Sequence, residues 1–183
     1  MRVRVTILVL LLTAAVFGYA AARFQRAAVL PVETSFDNRI ARFSVEDPMY
    51  VLGAARGVYL EGFGLVLSSE VDLLPGANVT PFRPSFTKEE KSKIRARKLE
   101  RIAKLKDLMR EMLVDAAAMT DSLPDGEQVA IAVTLFHKSW EDTTGLPSQI
   151  VMQAPRKALL EYKTSKDPSK AAALNAVLKV REY

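Results

Sequence analysis

Apolar and polar positions along this chain change period repeatedly, and each change predicts an element. Residues 5–17 form an apolar run broken only by Thr6 and Thr13. Further on, Phe36, Ile40 and Phe43 recur at helical spacing until Asp47-Pro48 interrupts them. Residues 49–74 are rich in β-forming side chains around Gly62-Phe63-Gly64, which predicts a hairpin with strands near 55–61 and 65–73. On the second strand Leu65, Leu67, Ser69 and Val71 share a face, opposite Val66, Ser68, Glu70 and Asp72. Residues 75–86 contain Pro75, Gly76, Pro81 and Pro84 and read as a loop.

Thr87-Lys88-Glu89-Glu90 is a capping box, because the Thr87 hydroxyl can accept from the Glu90 amide while the Glu90 carboxylate reaches back. The helix that starts there should run to about residue 121, before the turn Pro124-Asp125-Gly126. Ile102, Leu105, Met109, Met112, Ala116 and Met119 step by three and four along it, a stripe too short for a coiled coil and suited to a sheet of the same chain. Residues 129–136 are apolar on both faces, which predicts a central strand. A strand at 148–153, a helix from Pro155 to about Thr164, a helix opened by Asp167-Pro168 and a last strand within 177–183 complete the pattern. The expected fold is α+β: an antiparallel sheet of about 4–5 strands, with one long helix (about 88–121) and two short C-terminal helices packed on one side.

The first 22 residues carry a second message. Arg2 and Arg4 precede the apolar run, and Gly18-Tyr19-Ala20-Ala21-Ala22 ends it with small residues in an A-x-A arrangement, the grammar of a signal peptide. As a helix, residues 5–22 would also span about 27 Å, enough for a retained membrane anchor. Arg23 and Arg26 follow directly, and positive charge at that place hinders translocation. The chain therefore divides into a signal peptide or anchor at 1–22, a connector with a short amphipathic segment at 23–47, and one α+β domain at 48–183. The expected location is extracytoplasmic, periplasmic or secreted, with residues 5–22 as the inner-membrane anchor if they are retained.

Composition narrows the chemistry. None of the 183 residues is cysteine, so disulfides, thiolate metal sites, thiol nucleophiles and lipidation at an N-terminal cysteine are excluded. His137 is the one histidine, and no G-x-S-x-G, H-E-x-x-H or P-loop occurs. Glu61, Glu70 and Asp72 cluster on the hairpin, and paired carboxylates can do acid–base work or hold a hard cation. Each also has a plainer reading: His137 as a strand-end residue bonded to a loop, the carboxylates as a solvated strand face. No metal site and no cofactor are expected.

The net charge is +5, and between residues 88 and 110 alone the cations exceed the anions by six. Lys91, Arg95, Arg97, Lys98, Arg101 and Lys104 form the expected basic surface. Such a helix can be a solvated face, a contact for anionic lipid, or a nucleic-acid arm. The absence of an aromatic residue between Phe86 and Phe136 argues against the last. The function expected from sequence is a non-catalytic exported or membrane-tethered envelope protein acting by partner or surface binding, for instance as an accessory subunit of a membrane complex. Its partner would be a protein or an anionic membrane surface, with self-association through the long helix as a further mode. The alternatives are a small extracytoplasmic hydrolase or metal-dependent enzyme using His137 with the hairpin carboxylates, and a cytoplasmic nucleic-acid binder.

Overall fold

The computed structural model describes residues 26–43 and 48–183, and the apolar run at 1–22 lies outside the described residues. Among the described residues four helices and six strands follow in chain order: α1 (Arg26–Ala41), β1 (Tyr50–Val51), β2 (Arg56–Leu60), β3 (Gly64–Asp72), α2 (Lys88–Met119), β4 (Gln128–Leu135), β5 (Gln149–Pro155), α3 (Arg156–Thr164), α4 (Lys170–Val177) and β6 (Lys179–Glu182). The class is α+β, as the pattern predicts.

The sheet is mixed, which corrects the expectation of an antiparallel one. β4 pairs with β3 in parallel, from Gly64 opposite Gln128 to Val71 opposite Leu135, while the other pairings are antiparallel. The reason lies in α2. A tight turn reverses a strand, whereas a helical crossover returns the chain to the edge where the strand began, so the next strand runs the same way. The strand count is also higher than expected because one edge strand is broken in two. β1 and β2 both pair with β3, and the register slips by two residues between Val51–Val71 and Arg56–Ser68. Gly53, with φ +88°, sits in that break.

Gly64 marks the start of the parallel pair. Its φ is +131°, and a Cβ there would lie 2.0 Å from the Gln128 carbonyl oxygen. Only glycine allows the two backbones this approach, in which Gln128 N–H donates to the Phe63 carbonyl at 2.7 Å.

The face of the sheet that carries Leu65, Leu67, Val71, Val129, Ile131 and Val133 is buried. Against it lie Ile102, Leu105, Met109, Met112 and Leu113 of α2, with Leu159 of α3 and Leu174 of α4 in the same core. The capping box at Thr87 is present in both halves, with Glu90 N–H donating to the Thr87 hydroxyl at 3.2 Å and Thr87 N–H to the Glu90 carboxylate at 2.9 Å.

The residues read as a connector with a short amphipathic segment contribute a helix of 16 residues, α1, longer than the spacing of Phe36, Ile40 and Phe43 alone suggests. Val29, Val32, Phe36 and Ile40 are buried in the same core, with Phe43 packed against it. Gly57 permits the close approach: a Cβ at that position would meet Val29 Cγ1 at 2.2 Å. Glu33 fastens the contact by accepting from Gly57 N–H at 2.5 Å and from both Arg26 guanidinium nitrogens at 2.7 and 2.8 Å. Burial opposes charge on Glu33, but the Arg26 and Gly57 hydrogen bonds and nearby Arg56 outweigh it and hold the carboxyl below its usual range.

Candidate functional site

The chemistry-bearing residues named by the sequence separate in space. Glu61 lies exposed in the β2–β3 turn, and Glu70 is exposed near the other end of β3. The part of β3 between them, Gly64 to Glu70, covers about 20 Å at 3.3 Å per residue. Asp72 is buried at the far end of β3, where it takes an ion pair from Lys138 Nζ at 3.2 Å and accepts from Leu74 N–H at 2.9 Å. Its role is to close the end of the strand.

His137 finds a different carboxylate, Glu141, at 3.6 Å from Nδ1. Its Nε2 lies 3.0 Å from the Pro147 carbonyl, which can only accept, so the neutral ring that satisfies this contact carries its proton on Nε2 and offers Nδ1 as an acceptor. Lys98 Nζ completes the cluster. It donates to the Phe136 carbonyl at 3.1 Å, to His137 Nδ1 at 3.4 Å, and to the Glu141 carboxylate, which together use all three of its N–H groups. The Lys98 and Glu141 side chains are 0% and 1% exposed. A fully engaged, water-free ammonium is a clamp between α2 and the loop after β4. Trp140 reinforces it by stacking on Phe86 with centroids 4.2 Å apart. This brings together His137, Glu141 and Lys98 but not His137 with Glu61 or Glu70.

The expected basic surface is corrected accordingly. Lys98 and Arg101 are buried and leave it. Arg95 is tied to the clamped loop, donating to the Thr144 carbonyl at 3.0 Å and lying 3.9 Å from Asp142. Lys104 pairs with Glu100 one turn away at 2.5 Å. Thr144 hydroxyl and amide groups, helped by Arg95 and Lys91, keep the Asp142 carboxyl below its usual range.

What remains solvent-facing is the opening of α2, with Lys88, Lys93 and Arg97 exposed and Lys91 half-buried, together with the paired Lys104 further along. No residue of 88–97 is buried, whereas ten residues from Lys98 onward are. Beside this segment runs a cleft of about 590 Å³ whose walls include Tyr50, Leu74, Phe86, Lys93, Ile94 and Arg97. Arg83 stands at its mouth, 4.2 Å from the Phe86 ring centre and 2.5 Å from Glu90.

Sequence reasoning missed one residue of this surface. Phe82 is 100% exposed, at the tip of a turn closed by two reciprocal 2.9 Å hydrogen bonds between the Thr80 and Arg83 backbones. Its signal was present in Thr80-Pro81-Phe82-Arg83, an aromatic residue set inside a proline turn.

Among the described residues no group of three or more histidines and acids is placed to hold a metal, and no helix is long and apolar enough to cross a membrane. The apolar stripe of α2 is buried in the core, which leaves Leu99 and Met119 as its exposed large apolar residues. No protein-family model, curated protein or solved structure matches the chain, so its own geometry carries the functional reading.

Proposed function

We propose that this is a non-catalytic exported or membrane-tethered envelope protein that holds an anionic surface or partner against the opening of α2. The observation that carries the reading is the fully exposed Phe82, held on a hydrogen-bonded turn whose Arg83 lines one cleft with Lys93 and Arg97. An aromatic tip flanked by cations suits an anionic membrane interface, where each basic residue contributes about 1 kcal/mol and the ring settles at headgroup level. The location rests on the signal-like pattern of residues 1–22.

Co-sedimentation with vesicles of neutral and of anionic lipid tests this. The anionic vesicles should retain the protein in a salt-sensitive manner, and Phe82→Ala combined with Lys93→Glu and Arg97→Glu should release it while leaving the thermal midpoint in place. Equal retention of the triple variant would remove the basis of the proposal. Lys98 and Arg101 are unsuitable for this purpose, since reversing a buried charge unfolds the clamp rather than altering a surface.

A further inference from the structure

The buried apolar strand positions described above lie on one face of the sheet, and the strand register defines what the opposite face presents. One row across it reads Arg56, Ser68, Ala132, Val151 and Arg181, and the next reads Val58, Val66, Ala130, Gln153 and Lys179. Val58 and Leu60 on this face are 51% and 47% exposed. The middle of the face is small and uncharged, with Ala130 and Ala132 of β4 beside Val66 and Ser68 of β3, and the exposed Glu70 stands beyond it, opposite Thr134, toward the far end of β3. Parallel strands are ordinarily covered on both faces, because each needs a second layer to shield its side chains.

The charges are arranged around that middle. Arg56 stands on the β2 edge and Lys179 and Arg181 on the β6 edge, and all three are exposed. Among the described residues neither Lys179 nor Arg181 makes an ion pair. Four strand spacings of about 4.8 Å separate the two edges by about 19 Å, while a helix with its side chains is about 10–12 Å across. A helix laid along β3 and β4 would therefore rest its backbone over the alanines and hold its two flanks below the cations.

The geometry points to this face as the docking surface for an amphipathic helix of a partner protein, with a small apolar stripe bordered by acidic residues on both sides. A second copy of the chain does not fit. In any two-fold, face-to-face packing, Arg56 meets Lys179 and Arg181, or each of these edges meets itself, so cations oppose cations. A bilayer fits less well, since Ala130, Ala132 and Ser68 at the centre offer nothing bulky to insert and the exposed Val58 and Leu60 stand at one edge only.

The absence of cysteine allows a clean test. In the full chain carrying Val58→Cys, the rate of thiol alkylation is measured with two helical peptides that share a Leu/Ala stripe, one flanked by Glu and one by Lys. The Glu peptide should slow alkylation about tenfold, a differential binding of about 1.4 kcal/mol, and the Lys peptide should not. Adding Arg56→Glu and Arg181→Glu should abolish the protection, and an unchanged thermal midpoint verifies the fold. Protection by both peptides or by neither overturns the proposal. So does protection by anionic vesicles, or protection that rises with the concentration of the chain alone. These outcomes are independent of whether Phe82 and the opening of α2 bind vesicles.

Discussion

The two ends of α2 carry charge and apolar residues in opposite proportion, and they meet the rest of the protein in opposite ways. From Lys98 to the C-terminal end the helix is embedded in the core through Ile102, Leu105, Met109 and Leu113. Over residues 88–97 nothing is buried, and order comes from the capping box and from the loop that reaches across to Arg95 and Lys98. One half is held by shape and the other by polar contacts. The second presents a cluster of cations to solvent where the first presents chiefly the paired Lys104, and Lys98 marks the border between them.

The largest expected effect tests that border. Lys98→Ala leaves Glu141 charged and buried without its partner, a loss of about 3–5 kcal/mol, measured by urea denaturation. The double change Lys98→Met with Glu141→Leu should recover most of it, because two well-packed apolar side chains replace a buried pair at little cost. Next comes Leu105→Ala in the embedded half, expected to destabilise by about 2–5 kcal/mol through lost burial and a residual cavity. Thr87→Ala should cost about 1 kcal/mol by removing the cap, seen as fraying of residues 88–91 in amide exchange with the core unchanged.

The opening turn should also loosen in acid. Hydrogen bonds from the Thr87 amide and Arg83 hold the Glu90 carboxyl below its usual range. The stabilisation is therefore complete above the ordinary glutamate value and is lost as pH falls through the lower folded one. Exchange at the Thr87 amide should follow this titration, and Glu90→Gln should flatten it. The smallest effect is expected for Lys93→Glu, within about 0.5 kcal/mol of the parent in stability. A larger loss would mean that the outer half is supported by its cations after all.

Much of this was legible in the sequence for local reasons. Thr87 and Glu90 announce the helix start by their own chemistry, and the alternation of Leu65, Leu67 and Val71 names the buried face of β3. Partners distant in sequence were not legible. Lys98 reads as one more cation in a basic run, because nothing near it in the chain shows that Glu141 closes over it. His137 and Glu141, four residues apart, offered a spacing signal, while Glu61 and Glu70 were close in sequence and far apart in space. The direction of β4 could have been read from the crossover length of α2. The extent of α1 was written in the spacing of Val29, Val32, Phe36 and Ile40, hidden by a proline at position 31.

The clamp of Arg26 and Glu33 on Gly57 has a mechanical consequence. Tension applied to the chain ahead of Arg26 would load α1 where Val29 is wedged over Gly57, so the seam between α1 and β2, fastened by Arg26 and Glu33, would yield before the hydrogen-bonded central strands and act as the molecule's mechanical fuse.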